Sequence, residues 1–120
     1  MATQVPSEIR YDRASRTLHV AFPDGTAFAL PAEYLRVESP SAEVQGHGPG
    51  QRKLVAGRRH VGIIAIEPVG NYAVRLTFDD LHDSGIFSWD YLQELGREQG
   101  RRWATYLDAL AAEGLSRDPN

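Results

Sequence analysis

The stretch IEPVGNYAVRLTFDDLHDSGIFSWDYLQEL, residues 66–95, decides the fold of this 120-residue chain. Residues 72–78 alternate between apolar and more polar side chains, which predicts a half-buried antiparallel strand. The apolar run VGIIAI at residues 61–66 predicts a strand that is covered on both faces and pairs with residues 72–78 in a central hairpin. Residues 79–85 are polar and are expected to form a loop, after which Ser88 is placed to cap a helix.

Three short strands are expected before this stretch. Residues 8–11, 17–22 and 28–30 have strand composition and are separated by two turn signals, which favours a meander. Residues 31–37 (PAEYLRV) predict one or two turns of helix with the tyrosine and leucine facing inward, because proline suits the first helical position. Residues 39–57 are rich in Gly, Pro and Ser and predict a long loop.

Two glycines divide the C-terminal part of the chain. Gly96 and Gly100 mark an end or a kink of the helix that Ser88 caps. Beyond them, apolar residues recur at helical spacing up to Gly114, which predicts an amphipathic helix. Residues 116–120 are expected to be frayed. The pattern therefore predicts a mainly antiparallel sheet of five to six strands with one short helix and C-terminal helices.

Length and composition indicate a single ordinary domain over residues 1–120. Hydrophobic residues make up 42% of the chain and charged residues 24%, and a domain of this size buries about two thirds of its unfolded surface. We expect a sheet-containing core over residues 8–95 and a helical extension over residues 96–115. No stretch approaches the ~20 apolar residues of a membrane span, and residues 1–13 lack a secretory signal pattern. We therefore expect a cytoplasmic protein without a membrane partner.

The composition also excludes several classes of chemistry. The chain has no cysteine, which removes disulfides, thiolate zinc sites, cysteine-ligated iron–sulfur clusters and cysteine nucleophiles. Its formal net charge is −3, whereas nucleic-acid-binding proteins use positive surface to neutralise phosphates, so no nucleic-acid partner is expected. The motifs GxGxxG, GxxxxGK[ST] and GxSxG do not occur, so an independent enzyme is not favoured.

One loop concentrates groups that can bind a metal or transfer a proton. Asp79, Asp80, His82 and Asp83 lie close together in the sequence, and imidazole with carboxylates suits zinc or iron(II). A second imidazole would come from His47 or His60. The candidate metal ligands are therefore His82, Asp80, Asp83 and His47. A turn in which aspartates accept from local backbone amides is the alternative, because the spacing matches no closed motif such as HExxH.

Two segments carry a resemblance to a known family. EPVGNYAVRLTFDDLHDSGIFSWDYL (residues 67–92) and LRVESPSAEVQGHGPGQ (residues 35–51) resemble the small domain of unknown function that also occurs as the N-terminal domain of gamma-butyrobetaine hydroxylase. The likeness runs from about residue 11 to residue 95, and the C-terminal helix is similar to that of stand-alone bacterial members. The resemblance implies an α+β fold built on a small, curved, antiparallel or mixed sheet.

The resemblance carries over only part of the family's chemistry. In the full hydroxylases, the domain holds zinc through three cysteines and one histidine. Only the histidine is matched here, at His82, so that zinc site is not implied, and hydroxylation is not implied either because the oxygenase domain is absent. Leu81 and Phe87 stand where the motif often has Gly and Tyr. Relatives are also appended to P-loop ATPases that carry iron–sulfur clusters, which implies an accessory role in handling metal or iron–sulfur proteins.

These observations together predict a non-catalytic binding or accessory module. Its expected partner is a protein, with an iron–sulfur or metal carrier as the class that the resemblance implies. A homodimer formed through the aromatic C-terminal helix is the expected alternative assembly. A zinc- or iron-binding domain centred on His82 and a small enzyme of unspecified reaction are the other two hypotheses.

Overall fold

The computed structural model describes residues 4–40, 54–80 and 85–118. Within these ranges the chain is an α+β domain with six antiparallel strands, which confirms the predicted fold class. The elements in order are β1 (Glu8–Asp12), β2 (Thr17–Ala21), β3 (Ala27–Pro31), α1 (Ala32–Val37), β4 (Ile63–Val69), β5 (Ala73–Phe78), β6 (Gly85–Ser88), α2 (Trp89–Arg97) and α3 (Gln99–Ala112). The strands divide into two sheets of three. Across the described ranges, no helix combines the length and the apolar character needed to cross a membrane.

The first sheet has the order β1-β2-β3, as the predicted meander requires. Leu18 lies opposite Tyr11 on one side and Leu30 on the other, and both leucines are fully buried. Successive side chains of a strand point to opposite faces of the sheet. The alternation of apolar and polar residues therefore gives this sheet one face in the core and one polar face.

The second sheet has the order β4-β5-β6, with β5 in the centre. The predicted hairpin of β4 and β5 is confirmed. The prediction that β4 is covered on both faces is wrong: Ile64 is 60% exposed and Glu67 is also exposed. In the described part of the chain β4 is an edge strand, and an irregularity between Ile63 and Ala65 interrupts its register with β5. An apolar run shows that a strand is hydrophobic, but it does not show whether other strands or helices cover both of its faces.

A shared core joins the two sheets. Side chains from both sheets and from α2 form one apolar cluster, which includes Leu18, Val20, Leu30, Leu76, Phe78, Leu92 and Leu95. One hydrogen bond also links the sheets directly, because the Tyr11 hydroxyl accepts from the backbone N–H of Ile63 at 3.0 Å. This bond satisfies a backbone donor at the start of β4 that the sheet does not pair.

Helix α1 is buried along its whole length, including its charged residues. Tyr34 and Leu35 face the core as predicted, but Glu33 and Arg36 are also only 6% and 1% exposed, and Glu38 just after the helix is 5% exposed. Burying a charge is costly unless an opposite charge and hydrogen bonds compensate it. Each of these three residues has such a partner from another element. The pairs are Glu33–Arg117, Arg36–Asp80 and Glu38–Arg102.

Helix α2 begins where the sequence predicts, whereas α3 begins at Gln99 and contains Gly100, so the predicted break at Gly100 is wrong. The Ser88 hydroxyl accepts from the backbone N–H of Tyr91 at 3.1 Å, which confirms Ser88 as the N-cap of α2. Gly96 lies in the last turn of α2, where a Cβ atom would stand 2.3 Å from Cγ of Phe28 on β3. The glycine thus permits the close approach of α2 to the first sheet.

The prediction of a frayed C-terminal segment is wrong for residues 116–118. The backbone N–H of Gly57 donates to Ser116 O at 2.9 Å, and that of Arg59 donates to Arg117 O at 2.9 Å. The segment therefore folds back along residues 57–59. Sequence reasoning missed this because the partners are about sixty positions apart and the segment has few apolar residues.

Replacing Gly96 by alanine is expected to lower the free energy of unfolding by about 1–3 kcal/mol, because the added methyl group must displace the Phe28 ring. Gly100→Ala is the matched control, since a Cβ atom there meets no atom within 4 Å. We expect the control to be neutral or slightly stabilising, because alanine favours helix over glycine. Urea unfolding curves of both variants provide the measurement, and equal effects at the two positions would contradict the proposed packing.

Candidate functional site

Three of the four predicted metal ligands, His82, Asp83 and His47, lie outside the described residues. The fourth, Asp80, follows the end of β5 and is described. Within the described ranges, no three His, Cys, Asp or Glu residues come together in a group that could hold a metal ion. The metal site centred on His82 therefore stays a prediction.

The Asp80 carboxylate is engaged by two guanidinium groups. Its Oδ2 atom accepts from Arg36 Nε at 2.8 Å, and Arg58 Nε lies 2.7 Å from the same oxygen. Because Arg36 is almost fully buried, Asp80 acts as a counter-ion for a cation that water cannot solvate. Two positive charges beside this oxygen also oppose the approach of a metal cation to it.

Near α1, a groove of about 580 Å³ lies between the end of that helix, residues 54–55 and α3. Its volume falls in the range of sites that receive small ligands or side chains of a partner. Four charged residues line the groove, and we call them the rim: Arg101 and Glu113 are exposed, whereas Arg102 and Glu38 are largely buried. The walls are formed by apolar, small and aromatic side chains, namely Val37, Leu54, Val55, Tyr106, Ala109 and Ala112.

Tyr106 anchors the floor of the groove. Its hydroxyl donates to Val55 O at 2.6 Å, which ties α3 to the segment after residue 53. Burial, with a smaller contribution from the negative charge of Glu33, raises the pKa of Tyr106 to about 12. The hydroxyl therefore stays protonated near neutral pH and serves as a fixed hydrogen-bond donor.

Arg102 organises the charged rim. Its Nη1 donates to Glu38 Oε1 at 2.6 Å, and its Nε donates to Glu98 Oε1 at 2.9 Å. Its Nη2 also pairs with Glu94. Although burial opposes the charge, the hydrogen bonds that Arg102 donates to Glu98 and Glu38 raise the pKa of Arg102 above its ordinary value. The guanidinium is therefore a permanent, fully oriented charge.

The charged residues that line the groove are balanced: Glu38 and Glu113 carry carboxylates, and Arg101 and Arg102 carry guanidiniums. Glu94 and Glu98 do not line the groove, but both pair with Arg102, so three carboxylates surround that guanidinium. Sequence reasoning missed the groove. The four-residue spacing of Glu94, Glu98 and Arg102 was a visible signal for pairing along a helical face, but nothing local connects these residues to Glu38.

Replacing Asp80 by asparagine is expected to lower the free energy of unfolding by about 2–3 kcal/mol, because the buried Arg36 guanidinium loses a charged partner. Asp108→Asn is the control, since Asp108 is exposed on α3. Thermal and urea unfolding of both variants give the comparison. An Asp80→Asn protein as stable as the Asp108→Asn protein would show that Asp80 is not the counter-ion of Arg36.

Comparisons with known proteins agree with this fold. The sequence model of the family "Gamma-butyrobetaine hydroxylase-like, N-terminal" matches residues 9–93. A protein solved by NMR in solution is 50% identical, with a TM-score of 0.86, over 99% of this chain and 94% of that one. A second protein solved by NMR is 47% identical, with a TM-score of 0.84, over 98% of this chain and 87% of that one.

A crystal structure from Acidithiobacillus ferrooxidans is also similar. That protein is of unknown function and belongs to the DUF971 family; it is 41% identical, with a TM-score of 0.65, over 77% of this chain and 92% of that one. No curated protein matches the chain. Both the extent of the family match and the identity to these structures confirm the resemblance seen in the sequence. The chain belongs to the gamma-butyrobetaine hydroxylase-like N-terminal family.

Proposed function

We propose that this chain is a cytoplasmic, non-catalytic binding module that contacts a protein partner through the groove between α1 and α3. The observation that carries the proposal is the groove itself, an apolar concavity of about 580 Å³ with charged residues along its rim. Protein interfaces combine an apolar centre with a polar rim in this way. An apolar side chain of a partner would fill the concavity, and the rim would orient its flanking residues.

The chemistry of the groove favours recognition over catalysis. General acid–base catalysis needs a group whose pKa lies near the working pH. The pKa of Tyr106 is raised to about 12, and Arg102 is a permanent cation held by three glutamates. These two groups keep one protonation state near neutral pH, so they supply fixed contacts.

The charge of the rim indicates the kind of segment that the groove would take. Because three glutamates surround the charge of Arg102 and Glu113 is exposed in the lining, a segment with basic residues beside its apolar side chains would complement the groove better than an acidic one. Membership of a family that is described as an N-terminal domain supports a role beside another domain or protein. A metal- or iron–sulfur-carrying protein is the partner class that we propose on the family resemblance.

A peptide titration followed by NMR tests the groove directly. The probe is a hexapeptide with two leucines between pairs of arginines, and the comparison peptide replaces the arginines by glutamates. We expect the basic peptide to shift the amide signals of residues 54–55 and 101–113, and to bind at least about tenfold more tightly than the acidic one, since opposite charges favour association.

Two alanines of α3 give a matched pair of variants for this titration. Ala109 lines the groove, whereas Ala104 is exposed and is not among the lining residues. Ala109→Leu is expected to fill the groove and weaken binding of the basic peptide about tenfold or more, while Ala104→Leu leaves it unchanged. Equal binding to both variants, or equal affinity for the two peptides, would contradict the proposal.

A further inference from the structure

The C-terminal segment, defined as residues 115–118, lies against residues 57–59. Two of its carbonyl groups accept from the backbone N–H groups of Gly57 and Arg59, both at 2.9 Å. The Asp118 carboxylate pairs with the Arg59 guanidinium. The segment forms no strand and bends at residues 117–118, so main-chain hydrogen bonds and ion pairs hold it without a β-ladder.

One side chain of this segment enters the domain. Arg117 donates from Nε to Glu33 Oε2 at 2.9 Å and from Nη2 to Glu33 Oε1 at 2.7 Å. Its guanidinium also lies 5.2 Å from the ring centroid of Trp103. The planar guanidinium of arginine can contact both oxygens of a carboxylate while it faces an aromatic ring. The ammonium group of lysine is a compact point charge and cannot make both contacts in this way.

The walls of this pocket are built without the segment. Glu33 belongs to α1 and Trp103 to α3. Tyr34 of α1 donates to Leu95 O at 2.7 Å, and its ring packs edge-to-face against Trp103. These contacts position α1 against Trp103 without using Arg117. Because Glu33 is buried, a pocket without its arginine would contain an uncompensated carboxylate and would therefore select a cation.

The segment itself is weakly anchored apart from Arg117. Leu115, Ser116 and Asp118 are exposed, and only Arg117 is half-buried. Gly114, just before the segment, has a φ of +66°, a left-handed conformation that glycine adopts easily. With little apolar surface buried, the segment is held by Arg117, by the Asp118–Arg59 ion pair and by main-chain hydrogen bonds.

We propose that Glu33, Trp103 and the backbone of residues 57–59 form an arginine-recognition site, which the chain's own Arg117 occupies and which an Arg-Asp or Arg-Glu segment of a protein partner can occupy instead. The arginine enters between Glu33 and Trp103, and the acidic residue after it pairs with Arg59. This site is separate from the groove and does not rest on the proposed function of the groove.

Binding of a synthetic peptide to the full chain tests the site. The probe has the sequence of residues 114–118, GLSRD, and isothermal titration calorimetry measures its binding, because the chain has two tryptophans and its fluorescence would not report Trp103 alone. We expect the full chain carrying Arg117→Ala to bind this peptide at least about tenfold more tightly than wild type, because the tethered competitor has lost its arginine. Peptides with lysine or alanine in place of arginine are expected to bind the variant at least about tenfold more weakly than GLSRD.

Arg97→Ala is the control, because it removes an arginine exposed on α2 and leaves Arg117 in place. Its affinity for GLSRD should equal that of wild type. If Arg117→Ala alone does not fold, GLSRD should restore its cooperative melting, since a ligand that binds only the folded state stabilises it. A folded Arg117→Ala protein that does not distinguish the three peptides, or an unfolded one that GLSRD does not restore, would overturn the proposal.

Asp118→Ala provides a second variant that keeps Arg117 and removes only the ion pair with Arg59. It should bind GLSRD more tightly than wild type and less tightly than Arg117→Ala does. A purely structural role for Arg117 predicts that neither variant gains affinity for the peptide, and that result would also overturn the proposal.

Discussion

The burial of charge in α1 is the constraint on which much of the structure depends. A six-residue apolar helix could pack into the core without counter-ions. Helix α1 instead buries Glu33 and Arg36, and Glu38 just after it is also buried. Their counter-ions come from three distant places: the end of β5, α3 and the C-terminal segment. Replacing buried ion pairs by apolar residues is often neutral for stability, whereas breaking them is costly. We therefore infer that the three ion pairs of α1 determine which segments pack against this helix more than they add to the free energy of unfolding.

Both proposed binding surfaces lie beside this helix. The pair Glu38–Arg102 forms part of the rim of the groove, and Glu33–Arg117 is the arginine site filled by the chain itself. The third pair, Arg36–Asp80, holds the end of β5 against α1. Helix α1 thus positions α3 and the C-terminal segment relative to the two sheets. A change in one buried charge would therefore be expected to alter a binding surface as well as stability.

Patterns confined to one element were predicted from the sequence, and contacts between distant elements were not. The alternation in β5, the Ser88 cap and the family membership follow from neighbouring residues or from motifs. The exposure of Ile64 was missed because an apolar run does not report whether a strand lies at an edge. The burial of Glu33 and Arg36 and the docking of Arg117 were missed because each depends on a partner at least forty positions away. No local pattern marks such a pair.

A double-mutant cycle on Glu33 and Arg117 tests most directly whether the charges of α1 are compensated by specific remote partners. The cycle uses Glu33→Gln, Arg117→Gln and the double variant, with Glu8 and Arg10 as an exposed comparison pair on β1. We expect a coupling free energy of about 2 kcal/mol or more for the buried pair, severalfold larger than that of the exposed pair. Coupling of equal size in the two pairs would contradict compensation by specific partners.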